Sequence, residues 1–355
     1  MRFGIFSNGA RRNLVAADSY HADLAGIIQA DRLGMHEAWV SEHAALRPDV
    51  LPTSDPLIAM AAGLTSHIRL APAVRILPAL HPVDVATQAA VCDHLLRGRY
   101  MLGIGSGSEF GKTFADQRGI DHGLRYERLR ESLDIIVKCW TEPNPVAFEG
   151  KYWHGGPAPV NPKPYTSPHP HIGMATEQDE LIDLAASRGY TLLAAQYDGP
   201  DCVRQKGDRY VASQASGSAP RSLYTVARQI FVGESDAAAV HAVKEDVNRD
   251  FLTIKSAAPQ ILDYVQSRCP GLRDVDFDSQ RQAGMFIAGD AEEVYGRLES
   301  FYRESGGFGT LLIVMGKDWG TAEQRAQSLQ LFMSEVAPRL KRLAERESGV
   351  AATPA

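Results

Sequence analysis

Glu42 and His43 close the segment "EAWVSEH", an apolar run that stops on a carboxylate beside an imidazole. An imidazole in that position can take or give a proton near neutral pH, and the carboxylate can orient the ring or favour its charged form. The plain alternative is a loop histidine satisfied by backbone. A second candidate is the glycine-rich turn "LGIGSGSEFGKTF", Leu102 to Phe114, whose amides can approach a phosphate or a flat ring closely. It misses a P-loop because Ser106 stands where the first glycine is required, and it misses the dinucleotide fingerprint because Phe110 stands at the third glycine. In "GMATEQDE", Thr176 opens a helix, either as a cap or beside first-turn amides that can hold an anion. His81, before a proline in "LPALHPV", reads as a cap or packing residue more readily than as a catalyst. His169 and His171 alternate, but no carboxylate or cysteine cluster accompanies them, so no metal site is expected.

These residues have to be held in place by regular elements. Short apolar or β-branched runs alternate with segments of helical periodicity: "RFGIF", "EAWVS", "IRLAPAVRIL", "YMLGIG", "PHIGMA", "YTLLAAQY", "LYTVARQIFV" and "TLLIVM" each precede a helix, which makes eight units. Strands this apolar have no face for water, so the expected fold is α/β, a parallel sheet closed into a (β/α)8 TIM barrel; an open doubly wound sheet is the alternative. Catalytic groups of such barrels sit at the C-terminal ends of the strands. Glu42, His43, the glycine turn and Thr176 all fall at such ends.

Extra length is expected as insertions after strands 4 and 7. The first, 141 to 170, is rich in Pro and Gly and reads as a long loop; the second, about 254 to 305, reads as helical, with Asp290 capping "AEEVYGRLESFYRE". Neither has the composition of a linker, so residues 1–340 are expected to form one domain and 341–355 a disordered tail.

The chain of 355 residues is 44% hydrophobic and carries a formal charge of −6 with no long Lys/Arg run, which gives no reason to expect nucleic acid as a partner. The N-terminal apolar stretch is too short for a secretory signal and no window approaches a membrane span, so the expected location is cytoplasmic, with no membrane partner. Cys92, Cys139, Cys202 and Cys269 are widely separated and read as reduced, packed thiols.

Several pieces, in this order, resemble the luciferase-like family of flavin-dependent barrel enzymes, which includes bacterial luciferase subunits, two-component flavin monooxygenases and oxidoreductases using the deazaflavin F420. The resemblance is carried by "MRFGIF", "LGMHEAWVSEH", "RYERLRESLDII", "AASRG", "IAGDAEEV" and, most specifically, residues 65 to 107, "TSHIRLAPAVRILPALHPVDVATQAAVCDHLLRGRYMLGIGSG". It implies that His43 is the active-site histidine, with Glu42 a possible orienting partner. It also implies a non-proline cis peptide between Ala73 and Val74 behind the flavin ring, and a flavin and phosphate site at Gly105, Ser106, Gly107, Ala175, Thr176 and Glu177. The chain departs from luciferase subunits in having Ser106 where they carry a phosphate-binding arginine and Gly105 where they carry a cysteine.

The resemblance thus implies a two-component flavin monooxygenase. Reduced FMN (FMNH2) would come from a separate flavin reductase, and O2 and a small organic substrate would meet it in a homodimer or higher homo-oligomer. Tyr152, Trp153 and Phe277 in the two insertions are expected to form a lid that keeps water out. An F420-dependent oxidoreductase is the same-fold alternative, and a P-loop-like nucleotide-binding module built on "GSEFGKT" is the alternative of another class.

Overall fold

The computed structural model describes residues 1–7, 15–43, 51–107, 112–214, 221–257, 259–315 and 318–347. The first half runs β1 (Arg2–Ser7), α1 (Ala16–Arg32), β2 (Glu37–Ser41), α2 (Asp55–Ala62), β3 (Arg69–Ala73), β4 (Arg75–Ile76), α3 (Pro82–Leu95), β5 (Met101–Gly105), α4 (Lys112–Asp116) and α5 (Arg125–Thr141). It continues through β6 (Val146–Glu149), β7 (His154–Ala158), β8 (His171–Ala175), α6 (Asp179–Ser187), β9 (Thr191–Ala194), α7 (Pro200–Ala212) and β10 (Tyr224–Val232). The rest is α8 (Asp236–Ala257), α9 (Ile261–Arg268), α10 (Phe277–Gln282), β11 (Phe286–Gly289), α11 (Ala291–Glu304), β12 (Thr310–Met315), α12 (Ala322–Leu331) and α13 (Ala337–Glu347).

All neighbours in the main sheet are parallel, in the order β3, β2, β1, β12, β10, β9, β8, β5, β4. The circle closes because β4 continues the line of β3 and pairs with β5, while Leu70 bridges to Tyr100 lower down. The expected TIM barrel is therefore the observed fold. Strands buried on both faces explain the continuous apolar runs read in the sequence.

Inside the barrel Trp39, Ala71, Met101, Leu193, Ala227, Leu312 and Val314 form the inner core. Trp39 is the reason one neighbour is glycine, since a Cβ on Gly173 would stand 2.5 Å from its Cη2; at Gly103 a Cβ would meet the Pro72 carbonyl oxygen at 1.9 Å as well as Trp39 Cζ3 at 2.8 Å. The indole N–H donates to Glu37 at 2.9 Å, so the largest interior side chain is also fixed in orientation.

Three elements differ from the sequence expectation. The 141 to 170 segment contains an antiparallel hairpin, β6 with β7, beyond a plain loop. Glu131 of α5 pins the turn between these strands by accepting the backbone N–H groups of Lys151, Tyr152 and Trp153 at 2.8–3.2 Å. The second insertion holds a strand, β11, parallel to β10, where only helices were expected; its four residues are too few to show a period. Finally, α13 runs to Glu347 with Leu343 and Ala344 buried, so 341–347 is packed helix where a disordered tail was expected, and 348–355 lie outside the described residues. Among the described residues no helix is long and apolar enough to cross a membrane.

Candidate active site

The mouth of the barrel is built by the strand ends. β2 finishes at Ser41 and delivers Glu42 and His43. Glu42 is buried, and its Oε1 accepts from both the backbone N–H and the hydroxyl of Ser54 at 2.7 Å. The same oxygen lies 3.6 Å from Nε of Arg75, whose other side meets Asp55. Tyr100 donates to Asp55 at 3.3 Å. Burial pushes the Glu42 carboxyl above its ordinary pKa, against the pull of Arg75 and Ser54. The carboxylate expected to orient His43 is thus engaged with Ser54 and Arg75. His43 itself is half-buried, with its backbone N–H donating to Leu51 at 3.1 Å.

Arg75 was not singled out in the sequence. Its one signal is a charge inside the apolar run "APAVRILP". It follows the peptide bond between Ala73 and Val74, which is cis, as the resemblance implies.

Around that bond the inner residues are small. Ser41 pairs in register with Ala73, and Gly105 with Ala175, so four neighbouring strands present a hydroxymethyl, two methyls and a hydrogen at the mouth. A Cβ on Gly105 would stand 2.5 Å from Cγ2 of Val74, so only glycine keeps this surface open. The opposite wall carries bulk, with Phe6, Val314 and Leu193 against the inner core. With small residues on one side and large ones on the other, the inner surface over the Ala73–Val74 bond is the recessed side of the mouth. These residues fit a planar tricyclic ring.

The rim of the recess is polar. Gly107 has φ +83°, a left-handed conformation that glycine adopts without strain, and it turns the chain away after Ser106. Ser106 and Thr176 are both buried and leave paired strands side by side. Thr176 Oγ1 accepts from the N–H of Gln178 at 3.1 Å, which leaves its own hydroxyl proton to donate. Glu177 is different: Tyr264 donates to its carboxylate at 3.2 Å and Arg268 ion-pairs with it, so its side chain is tied to the second insertion.

The other sequence candidates lie elsewhere. His81 is exposed and packs edge-on to Trp153, 5.1 Å between ring centres. His171 bonds Thr191 at 2.7 Å at the start of its strand, the end of the barrel away from the mouth, and burial lowers its pKa to about 4. Among the described residues no group of three His, Cys, Asp or Glu could hold a metal. Phe277, expected on a lid, is buried in the insertion's own core against Phe286, 5.3 Å between ring centres. In the glycine turn, residues 108–111 lie outside the described residues.

A parallel barrel that gathers small apolar residues and buried hydroxyls at its strand ends carries them where barrel enzymes place their functional groups. The model of the luciferase-like monooxygenase family matches residues 1–308, and the chain belongs to that family. It is similar to 3,6-diketocamphane 1,6-monooxygenase of Pseudomonas putida, 27% identical over 95% of this chain and 97% of the relative. Limonene 1,2-monooxygenase of Rhodococcus erythropolis is 26% identical over 90% of this chain and 81% of its own length. Among solved structures, the oxygenating constituent of the P. putida 3,6-diketocamphane monooxygenase, a type II Baeyer-Villiger monooxygenase in complex with FMN, superposes with a TM-score of 0.81. It is 25% identical over 96% of this chain and 98% of that one. The F420-dependent tetrahydromethanopterin reductase of Methanopyrus kandleri has the same fold, with a TM-score of 0.66 at 18% identity over 95% and 99% of the two chains. The protein is a flavin-dependent oxidoreductase of the monooxygenase type.

Proposed function

We propose that this chain is the oxygenase of a two-component system, which takes reduced FMN from a separate reductase and uses O2 to oxygenate a small, mostly apolar organic molecule. The observation that carries the reading is the recess over the cis Ala73–Val74 bond, kept open by Gly105 and flanked by buried Ser106 and Thr176. A relative from Acinetobacter baylyi, 30% identical over 45% of this chain and 44% of its own, is the oxygenase component of a flavin-dependent trigonelline monooxygenase, which supports the reductase partner. The diketocamphane and limonene monooxygenases support a terpenoid-like substrate class.

When bound, reduced flavin supplies the electrons that activate O2. The chain's own groups do the rest. Ala73, Val74, Gly105 and Ala175 carry the ring on an apolar surface; Ser106 and Thr176 donate to the phosphate, with Gly107 shaping the turn and the backbone at Glu177 beside it. His43 moves a proton at the reacting edge, and the ring of Ser54, Glu42 and Arg75 holds the strand end that presents it. Apolar packing around the recess excludes water from the reaction.

The exposed apolar side chains Met60, Leu64, Val91 and Leu95, on or just after α2 and on α3, support a homodimer or higher homo-oligomer.

Anaerobic titration with reduced FMN, oxidised FMN and F420, followed by stopped-flow mixing with O2, tests the proposal. Reduced FMN should bind more tightly than oxidised FMN and should react with O2 differently on the protein than in buffer. Binding of F420 with no binding of reduced FMN would overturn it.

A further inference from the structure

Alternation along β1 turns Phe3 and Ile5 outward to the core under the helices and turns Phe6 into the barrel, where it packs against the inner core. In a barrel of shear about 8, one height climbs by about one residue per strand, and each interior layer takes four side chains from alternate strands. Followed from Phe6 through the strand registers, the layer at its height is Phe6, Ala73, Ala175 and Ala227. The layer beneath is Trp39, Gly103, Leu193 and Leu312, in which the indole fills the space beside Gly103. Phe6, Ala73 and Ala175 are each only half-buried, so their layer is the floor of the open mouth.

One phenylalanine among three alanines makes that floor uneven. With β3 and β4 counted as one position, β1 and β8 are first and fifth of the eight around the circle, so Phe6 stands across the barrel from Ala175. The low side, over the Ala73–Val74 bond, is the side given to the cofactor. β1 lies instead beside β2, whose end presents His43, and beside β12, whose Val314 pairs in register with Phe6. A molecule that reaches the flavin edge near His43 comes down on the Phe6 ring, which offers apolar surface and no hydrogen bond.

We propose that Phe6 is a specificity-determining residue: its ring is the floor of the substrate space beside the cofactor, and its bulk sets how large an apolar substrate fits. This rests on the flavin reading above and assigns the side of the mouth that the substrate takes. One methylene too many or too few in an apolar pocket changes selection by about tenfold or more, so gain or loss of a phenyl ring is large enough to measure.

The test uses two apolar ketones of different bulk, cyclohexanone and 4-tert-butylcyclohexanone, titrated anaerobically into the protein with reduced FMN bound. Phe6→Ala should shift the affinity ratio towards the bulky ketone by about tenfold or more, and Phe6→Trp should shift it the other way, with affinity for reduced FMN kept within about twofold. Phe6→Leu, with a smaller shift of the same sign as alanine, serves if the alanine variant does not fold. Phe3→Leu is the control for a merely structural effect. Phe3 is buried on the outer face of the same strand against Phe332, 5.5 Å between ring centres, so its replacement should lower thermal stability and leave the ratio unchanged. An unchanged ratio in the Phe6 variants, or an equal shift in Phe3→Leu, overturns the inference and leaves the flavin reading in place. Binding of neither ketone by any of the proteins also overturns it. Failure of the wild type to bind reduced FMN removes the inference together with the flavin reading.

Discussion

Replacing Arg75 by methionine tests whether the buried charge cluster behind His43 is a stabilising unit. Arg75 is 6% exposed and Glu42 8%, and Arg75 Nε lies 3.6 Å from the Glu42 carboxylate. At an effective dielectric constant of about 20, two unit charges at that separation attract by about 4 to 5 kcal/mol. The cost of removing the cation has a ceiling, because Glu42 can take up a proton instead of staying charged and unpaired. Holding a carboxyl protonated at pH 7 against an ordinary pKa of about 4.3 costs about 3.7 kcal/mol, and at pH 5 only about 1 kcal/mol. Asp55, bonded to Tyr100, adds a smaller share.

Arg75→Met should therefore destabilise by about 3 to 4 kcal/mol at pH 7, within the range for breaking a buried pair, and by about 1 kcal/mol at pH 5. The sign follows from linkage. Burial already raises Glu42, and without Arg75 its folded pKa rises further above the unfolded one. The variant's folded state then keeps a proton that the unfolded state releases, so its stability relative to wild type falls as pH rises from about 4.3. Urea unfolding at pH 5, 6 and 7 measures this. Adding Glu42→Gln, which can still accept from Ser54, should restore most of the loss. A loss below 1 kcal/mol at pH 7, or one that does not vary with pH, would refute the argument.

The remaining expectations concern the site and the base of the barrel. His43→Ala should lower product formed per reduced flavin by about 10²-fold or more, with flavin affinity retained, and His43→Gln separates positioning from proton transfer; full activity of both from pH 6 to 9 would remove the catalytic role. Ser106→Ala and Thr176→Ala should each weaken FMN by about 0.5 to 3 kcal/mol while leaving riboflavin nearly unaffected, and equal losses for both ligands would place these hydroxyls away from the phosphate. His171 has its pKa lowered from 6.5 to about 4, so the unfolded state binds the proton first as pH falls through that window. Stability from this group is full above pH 6.5 and is lost towards pH 4, by up to about 3 kcal/mol; His171→Gln should flatten the pH dependence of unfolding there, and an unchanged slope would contradict the burial argument.

Much of the fold could be read directly from local pattern. Strands buried on both faces have to be apolar throughout, and helices that cover them have to repeat their apolar residues every three or four positions, so eight alternating segments were visible before any contact was known. The same logic put His43, Gly105 and Thr176 at strand ends, and the block from 65 to 107 carried enough specific residues to locate the cis bond at Ala73–Val74.

What tertiary structure alone decided were the partnerships. Glu42 beside His43 in sequence looks like its partner, yet its carboxylate is held by Ser54 and Arg75, which reach it only when α2 and the turn after β3 close around the end of β2. Glu177, which the resemblance put in the flavin and phosphate region, has its carboxylate paired to Arg268 of a distant helix. The hairpin after α5 exists because Glu131 collects three backbone N–H groups from a segment that has weak strand propensity of its own. Periodicity records which face of an element is buried, because burial acts on each residue separately. Hydrogen bonds and ion pairs act between residues far apart in the chain, and their identity depends on the register at which the barrel closes, which no local stretch of sequence contains.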